Sequence, residues 1–372
     1  MTEASELVSY KKILSNPTII RKCETDPDTG LDLFCYSECN NDSEEWIKKC
    51  RGIVFHNDKV IMSSLPFTEE YVPDTFNRQT DISSMLFFPS YEGTLIRTFY
   101  FNDKWYVSTY RKLCAYKSKW VSPISFGDQF DEAIRQKYEY VENSRDIFFN
   151  TLDIHKQYMF ILRHDGQNRV VHSSPDNGPI VYHLCTIDND KLVFDDNDNV
   201  FPNVPQLSFN STDGICKYVY DNIDPHKSQG LLGISKDGTK QIKIVHPEYK
   251  RLYDIRGNEF NLMFRYIQLR NTTLEKDFKF LYPLYTNIFD EIEKQIHNLA
   301  DFLLFVYKKR HIHKQFVQVH KDEHTIIKLC HRWYIKNQFQ YKVDIEVVLD
   351  ILNSQQPSIM NRLIRNHRSL SQ

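Results

Sequence analysis

The stretch Phe88-Pro89-Ser90-Tyr91-Glu92-Gly93-Thr94-Leu95-Ile96-Arg97 decides the fold that this sequence predicts. Its second half opens a β-rich run that continues to Tyr100, and another β-rich run occupies Lys104–Ser108. The turn-forming residues Asn102 and Asp103 separate the two runs. Two short β-rich runs joined by a tight turn are typical of a hairpin, so we expect antiparallel sheet at the centre of the chain.

Outward from this hairpin, a pattern of strands and turns extends to about residue 274. Residues 126–142 interrupt it, because their apolar side chains recur at helical spacing. Beyond residue 277 the spacing of the apolar side chains is helical throughout. The sequence therefore predicts an α+β chain, with an antiparallel-sheet domain over residues 1–274 and an α-helical domain over residues 275–372. The further predicted strands are residues 53–55, 157–162, 169–172, 181–184, 230–234 and 241–245.

The net charge of −2 over 372 residues conceals an uneven distribution of charge. Residues 301–372 contain 12 Lys plus Arg against 6 Asp plus Glu, together with six of the 14 histidines. The C-terminal domain is therefore predicted to be basic and His-rich. Such a domain suits either a phosphate-backbone partner or an ordinary solvated helical face.

Targeting signals are missing from the sequence. No apolar run is long enough to span a bilayer, and the N-terminal residues lack the basic start and apolar stretch of a secretory signal. We therefore expect a soluble, cytoplasmic protein with no membrane partner. The eight cysteines are expected to be reduced thiols, since disulfides are rare in chains without an export signal.

Three ordered segments carry a resemblance to a known family. They are Arg51-Gly52-Ile53-Val54-Phe55, residues 60–67 and Tyr91-Glu92-Gly93-Thr94. In order and spacing they resemble the N-terminal half of phage-type RNA ligases, members of the nucleotidyltransferase superfamily. The combination of Ser90-Tyr91-Glu92-Gly93 with residues 108–112 is similar to a degenerate version in ligase-like proteins of large cytoplasmic DNA viruses. The resemblance implies a nucleotidyltransferase domain with an ATP-grasp-like antiparallel sheet.

The same resemblance implies that the chemical positions of the ligases are lost. In those enzymes the lysine of a Lys-x-Asp-Gly motif attacks the α-phosphate of ATP or GTP, and Ser90 stands at that position. A serine hydroxyl without an adjacent base is a poor nucleophile near neutral pH. Two carboxylates of the family fall on Ile161 and Gln229, and one lysine falls on Gln241. No catalytic residue and no metal ligand is therefore predicted.

The residues that remain suit recognition of a nucleotide or RNA. Arginines and lysines are expected to contact phosphates, and aromatic rings are expected to flank a base. Structural alternatives stay open, since Arg51 and Arg97 could pair with acids on the sheet and Phe160 could belong to the core. The predicted nucleotide- or RNA-binding residues are Arg51, Tyr91, Glu92, Gly93, Arg97, Arg111, Lys112, Phe160 and Lys243.

The resemblance and the losses together predict a catalytically inactive protein that binds an RNA 5′ end, a purine nucleotide or an mRNA cap. Such a protein needs no cofactor, and a role in viral mRNA processing or translation in the host cytoplasm is expected, with a protein partner bound through the helical domain. One alternative is a scaffold whose cleft is filled by side chains. The other is an active RNA ligase that uses ATP, Mg²⁺ and a nucleophile among Lys104, Lys112, Lys117 and Lys240.

The helical domain carries one further pattern. His320, His324 and His331 lie at intervals of four and seven residues, which would place three imidazoles on one face of a continuous helix. No carboxylate completes a zinc site there, so a partner-binding face is the default interpretation. An RNA backbone is the alternative partner for the basic residues 306–310, Lys314 and Lys321.

Overall fold

The computed structural model describes residues 8–120, 122–164, 169–170, 178–195 and 200–370, with side chains up to residue 367. The chain forms two compact units, Met1–Tyr253 and Asp254–Gln372. Strands dominate the first unit and helices form the second, so the predicted α+β class with a helical C-terminal region is confirmed. The predicted strand at residues 169–172 lies partly outside the described residues.

The first unit contains short strands, as the β-rich runs predicted. They are β1 (Ile20–Asp26), β2 (Leu31–Tyr36), β3 (Arg51–His56), β4 (Lys59–Met62), β5 (Thr68–Tyr71), β6 (Met85–Ser90), β7 (Thr94–Phe101), β8 (Lys104–Ser108), β9 (Gln157–Arg163), β10 (Ile180–Asp188), β11 (Lys191–Val193), β12 (Gly230–Ser235) and β13 (Gln241–Val245).

These strands form three sheets in the described part of the unit. Their orders are β1-β2-β3-β4, β11-β10-β9-β7-β8 and β5-β13-β12-β6. The pairing is antiparallel except between β5 and β13, which run parallel. In the β7–β8 hairpin, the turn residues Asn102 and Asp103 have φ angles of 50° and 58°. Two left-handed turn residues match the twist of the flanking strands, and the predicted hairpin is confirmed.

The five-stranded sheet is buried on both faces. Phe99 and Met159 belong to one apolar cluster, whereas Ile96 and Phe160 belong to another. Because side chains alternate between the two faces of a strand, β7 and β9 supply residues to both clusters. At the centre of these strands, polar side chains such as Thr98 are therefore enclosed by protein.

The helices of the first unit pack on and between these sheets. One of them, α3 (Phe126–Lys137), covers the cluster that holds Phe160, and it ends where the sequence predicted a helix to residue 142. Glu139 and Tyr140 have φ angles of 51° and 60°, and left-handed residues cannot continue a right-handed helix. The helices are α1 (Tyr10–Leu14), α2 (Glu45–Lys49), α3 (Phe126–Lys137), α4 (Ser144–Thr151), α5 (Thr212–Asn222) and α6 (Pro247–Arg256).

The start of α5 gives a first testable prediction. The hydroxyl of Ser211 accepts a hydrogen bond from the backbone N–H of Gly214 at 3.0 Å, which caps the helix. We expect Ser211→Ala to lower the free energy of unfolding by about 0.5–2 kcal/mol, since one N–H loses its acceptor. Ser211→Asn retains a capping acceptor and should stay close to the parent in urea denaturation. Equal stability of both variants and the parent would contradict a capping role.

The second unit is helical in its described residues. Its helices are α7 (Leu262–Leu269), α8 (Glu275–Leu281), α9 (Thr286–Tyr307), α10 (Lys321–Lys336), α11 (Ile345–Asn353) and α12 (Pro357–Leu370). None of the helices in the described ranges has the length and apolarity that a bilayer crossing requires.

The division between the units lies earlier than the predicted boundary after residue 274. The rings of Tyr266 on α7 and Phe289 on α9 stack with their centres 4.7 Å apart. Arg270 and Glu293 form an ion pair at 2.7 Å. These contacts join residues before 274 to the helical unit.

Candidate functional site

The segment between β6 and β7 carries the residues that resemble the Lys-x-Asp-Gly motif, and it lies at the edge of a cleft. Glu92 and Gly93 lie in the bend between the two strands, and both line the cleft. A Cβ atom at Gly93 would lie 2.5 Å from the carbonyl oxygen of Leu162 on β9. Since real Cβ atoms do not approach backbone that closely, only glycine allows β9 to pass here.

This motif cleft has a volume of about 490 Å³. Of the predicted binding residues, it brings together Arg51, Glu92, Gly93 and Arg111, and it adds the lost position Gln229. Sequence analysis missed several polar and aromatic lining residues, because loops and two helices supply them from other parts of the chain. They are Tyr110, Lys119, Trp120, Gln129, His164, Arg169 and Tyr253.

Glu92 organises the wall of the motif cleft. Its carboxylate accepts hydrogen bonds from the backbone N–H groups of Arg169 at 2.6 Å and Val170 at 3.1 Å. The side chain is buried, so these two charge-assisted bonds stabilise its negative charge. Glu92 therefore fixes the backbone that carries Arg169.

The guanidinium of Arg169 lies close to two aromatic rings. Its guanidinium carbon lies 4.8 Å from the ring centre of Trp120 and 4.9 Å from that of Tyr253, and it donates a hydrogen bond to the Tyr253 hydroxyl. Burial raises the pKa of Tyr253, so this hydroxyl is neutral at physiological pH. The motif cleft therefore contains planar surfaces beside positive charge.

Gln129 is the most unusual lining residue. It lies in the first turn of α3 and is 2% exposed. Neither its amide nitrogen nor its amide oxygen has a hydrogen-bond partner among the described residues, and the same holds for the indole nitrogen of Trp120. Buried polar groups are normally satisfied, and each unpaired one costs about 1–3 kcal/mol. The motif cleft thus holds an amide with a donor and an acceptor available, and an indole donor.

Ser90, the residue at the position of the ligase lysine in the resemblance, is uncharged and hydrogen-bonded. Ser90 is 4% exposed, and its hydroxyl donates a hydrogen bond to the side-chain oxygen of Gln229 at 3.2 Å. The amide nitrogen of Gln229 in turn donates to the Tyr249 hydroxyl at 3.0 Å. Burial, followed by the charge of Glu92, raises the pKa of Tyr249, which keeps this hydroxyl protonated. A hydrogen-bonded chain of uncharged groups therefore connects Ser90, Gln229 and Tyr249.

Arg51 joins three strands at the rim of the motif cleft. Its guanidinium donates hydrogen bonds to the carbonyl oxygen of Pro66 at 3.1 Å and the hydroxyl of Thr68 at 3.0 Å, and it contacts the side-chain oxygen of Gln241 at 3.5 Å. The alternative that Arg51 pairs with an acid finds no ion pair among the described residues. The hydrogen-bond acceptors of Arg51 in the described residues are neutral, so its guanidinium is suited to an anion in the cleft.

Two predicted binding residues lie in the interior, and both expectations are corrected. Arg97 is fully buried and donates hydrogen bonds to the carbonyl oxygens of Gly52 and, at 2.7 Å, Thr109. Burial lowers its pKa to about 9. Phe160 is also fully buried, among other rings of the core. Neither side chain is exposed to a ligand, because each is enclosed at the centre of its strand.

Three other predicted residues lie outside the lining of the motif cleft. Tyr91 stacks on Tyr182 with ring centres 4.9 Å apart. Lys243 pairs with Glu70 at 3.1 Å. The backbone N–H of Lys112 donates to Thr109, and its side chain is not among the lining groups. The remaining lost position, Ile161, packs as a partly buried apolar residue on the sheet.

The predicted histidine face of the helical unit is also corrected. His320 caps the start of α10, so its ring accepts from the backbone of Asp322 at 3.4 Å instead of extending a helical row. His331 stacks on His311 with ring centres 4.0 Å apart. Within the described residues, no group of three or more His, Cys, Asp or Glu side chains could hold a metal ion. All eight cysteines are free thiols.

Several solved structures are similar to this chain. One is an RNA ligase of Naegleria gruberi in a mutant with ATP and Mn, with a TM-score of 0.35, 13% identity, and coverage of 50% of this chain and 57% of that chain. The same ligase with PPi has a TM-score of 0.32 and 13% identity, with coverage of 46% and 51%. This chain thus spans about half the length of those structures.

Viral proteins are similar to this chain in sequence, whereas no family model matches it. An immediate-early protein ICP-46 homolog of Invertebrate iridescent virus 6 is 30% identical over 389 residues, covering 93% of this chain and 83% of that protein. The homolog of Invertebrate iridescent virus 3 is 32% identical over 287 residues, covering 75% and 62%. The ICP-46 protein of Frog virus 3 is 27% identical over 164 residues, covering 41% and 40%. Because the first of these matches covers most of both proteins, this chain belongs to the family of the viral immediate-early protein ICP-46.

Proposed function

We propose that this protein is a catalytically inactive RNA-ligase-like chain that binds an RNA 5′ end, a purine nucleotide or an mRNA cap in the motif cleft. The observation that carries the proposal is Gln129, a buried amide that faces the cleft with donor and acceptor both unpaired among the described residues. The edge of a nucleobase offers a donor and an acceptor to such an amide. A ligand with a base edge would therefore satisfy groups that the described residues leave unpaired.

The other lining groups match the remaining parts of a nucleotide. Trp120 and Tyr253 supply rings on which a base can stack, as in proteins that bind single-stranded RNA. Arg111 and Lys119 are exposed cations at the same cleft, suited to phosphates. Arg51 adds a third cation whose acceptors are neutral. Base, stacking surface and phosphate contacts are thus available together.

The proposed lack of catalytic activity rests on the uncharged, hydrogen-bonded groups at Ser90. Covalent nucleotide transfer needs a strong nucleophile and positive charge on the phosphates, and the groups of such a site act together. Here the Ser90 hydroxyl donates to the side-chain amide of Gln229, and an amide is not a base that could activate it. The proposed role is recognition, without metal or cofactor, in viral mRNA processing or translation in the host cytoplasm, with a protein partner for the helical unit.

An active ligase is the competing proposal, and the positions of its candidate lysines weigh against it. None of the four predicted candidates lines the motif cleft. Lys104 pairs with Asp26 at 3.2 Å and Lys240 pairs with Glu69 at 3.6 Å. Lys119 is the lysine that the described lining does contain, so it is the residue to test for a covalent nucleotide. A filled scaffold is disfavoured by the open volume of about 490 Å³.

Binding of short fluorescent RNAs tests the proposal. Probes with 5′-hydroxyl, 5′-triphosphate and methylated-cap ends are titrated with the protein, with and without Mg²⁺. We expect the triphosphate or cap end to bind about tenfold or more tightly than the hydroxyl end, because it adds phosphate and base contacts. Mg²⁺ should leave that preference unchanged. Equal weak binding of all three ends would reject end recognition by the motif cleft.

The variant Gln129→Met tests whether the motif cleft causes the preference for one RNA end. Removing a buried unpaired amide is expected to raise the free energy of unfolding by about 1–2 kcal/mol. It should also weaken binding of the preferred end about tenfold, since the base edge loses its partner. Gln136→Met, a matched change on the same helix outside the cleft lining, should keep the parent affinity. A Gln129 variant that is both less stable and unchanged in binding would assign this residue a structural role.

A further inference from the structure

The second unit has a positively charged surface that has no role in the function proposed for the motif cleft. Between Asp301 and Asp322 the chain contains no acidic residue. The same interval contains a π-helical turn at Lys308–Ile312, which follows directly on α9, and a segment without regular secondary structure that leads to α10. The surface is formed by this turn and segment, and we call it the basic turn.

The lysines of the basic turn carry uncompensated charge. Lys308 and Lys314 are exposed, and Lys309 is half-buried. None of these three lysines forms an ion pair with another described residue. Asp322, the acid that ends the interval, is already paired with Arg362 at 2.5 Å, which lowers the pKa of its carboxyl. An anionic partner would meet positive charge that no described acid neutralises.

Aromatic rings stand among these cations. Phe316 is 87% exposed, and the guanidinium of Arg310 lies 5.7 Å from its ring centre. Phe305 is exposed as well, with the ammonium of Lys309 5.6 Å from its ring centre. A cation thus lies over each of these two rings. This alternation differs from a protein-binding patch, which concentrates contiguous apolar area in a core with few charges.

The backbone of the basic turn is held in place. Arg310 donates hydrogen bonds to the carbonyl oxygen of Val317, and its guanidinium also contacts the ring nitrogen of His324 at 2.6 Å. Beneath the turn, His311 stacks between Tyr307, at 4.9 Å, and His331, at 4.0 Å. The exposed cations and rings are therefore presented by a fixed turn, and little ordering is needed before a ligand binds.

We propose that the basic turn binds single-stranded RNA without regard to its end, through phosphate contacts of Lys308, Lys309 and Lys314 and stacking of a base on Phe316. Positively charged tracks with interleaved aromatic rings are the general solution for single strands, because every base has a stacking face and every nucleotide a phosphate. The proposal deepens the proposed function and rests on it in one respect, namely that the ligand is RNA. It gives the chain a second contact with the RNA body, separate from the motif cleft.

Two probes on the full chain test this proposal separately from the first. A 20-nucleotide oligouridylate with a 5′-hydroxyl and a 3′ fluorophore reports on the basic turn, and a fluorescent GTP analogue reports on the motif cleft. In the variant Lys308→Ala/Lys309→Ala/Lys314→Ala, oligouridylate affinity should fall about tenfold or more. The slope of log affinity against log salt should become shallower by about 2, since each single-strand phosphate contact contributes about 0.7. The GTP analogue should bind as to the parent.

Two further variants sharpen the result. Phe316→Ala should weaken oligouridylate binding at least about fivefold with an unchanged salt slope, because stacking releases no counterions. The control variant Lys276→Ala/Lys294→Ala/Lys342→Ala removes three exposed lysines elsewhere in the unit and should match the parent. Unchanged oligouridylate binding in the basic-turn variant would overturn the proposal. The proposal would also be overturned if that variant lost binding to a polyglutamate peptide but kept RNA binding. The surface would then be assigned to an acidic protein. Absence of GTP binding in the parent would instead count against the motif cleft alone.

Discussion

Phe160→Ala is expected to lower the free energy of unfolding by about 3–5 kcal/mol, which is the range for truncating a fully buried phenylalanine. The Phe160 ring centre lies 5.4 Å from that of Phe130, 5.8 Å from that of Phe201 and 6.1 Å from that of Phe148. Alanine would leave a cavity within this cluster, where the sheet and α3 cannot both relax. Urea denaturation followed by fluorescence and circular dichroism measures the loss.

The same variant separates a core residue from a stacking platform. Because Phe160 does not line the motif cleft, the fraction of Phe160→Ala that stays folded should bind the end-modified RNAs as the parent does. Phe316→Ala is the matched control for stability, since that ring is 87% exposed and its loss should change the free energy of unfolding by less than about 0.5 kcal/mol. A stable Phe160→Ala protein with weakened nucleotide binding would return Phe160 to the ligand site.

The sequence predicted the hairpin because its signals are local. Asn102 and Asp103 tolerate left-handed backbone, and the β-rich runs on either side fix the pairing of β7 with β8. The strands β12 and β13 were predicted for the same reason, since Asp237 and Gly238 separate two apolar runs. Helix ends were less predictable. The left-handed backbone at Glu139 and Tyr140 ends α3, although the apolar spacing continues past it.

Two residues were assigned to the site because the sequence does not reveal that their strands are buried on both faces. Arg97 and Phe160 occupy strands whose two sides both meet apolar clusters, so alternation along the strand does not separate cleft from core. Arg97 is tolerated there because two backbone carbonyl oxygens accept its hydrogen bonds. Trp120, Gln129 and Arg169 were missed for the opposite reason. They reach the motif cleft from a loop, a helix and a bend that are distant in sequence, and no local pattern identifies them.

Ser90→Lys is expected to lower the free energy of unfolding by about 3–5 kcal/mol, the cost of a buried charge without a partner. The new ammonium would replace a hydroxyl that is 4% exposed and faces the neutral amide of Gln229. Glu92 already accepts the backbone N–H groups of residues 169 and 170, so pairing with the new ammonium would compete with the bonds that hold that segment. The restored motif lysine should therefore destabilise this chain, and urea denaturation measures the effect.

Adding Gln229→Glu to that variant supplies the missing charge. The double variant should recover about 1–3 kcal/mol relative to the sum of the two single changes, a coupling typical of residues in direct contact. Additive losses in this double-mutant cycle would show that positions 90 and 229 do not act as a pair.

The same proteins test the chemistry. After incubation with radiolabelled ATP and Mg²⁺, we expect no label that resists denaturation on the parent or on either single variant. The double variant should also remain unlabelled, because Ile161 and Gln241 still lack the charges that transfer requires. Labelling of the parent, lost in Lys119→Ala, would instead establish an active ligase with its nucleophile at Lys119. Recovery of stability without labelling would mean that the charges at positions 90 and 229 stabilise each other but do not suffice for nucleotide transfer. Transfer would then require changes at further positions as well.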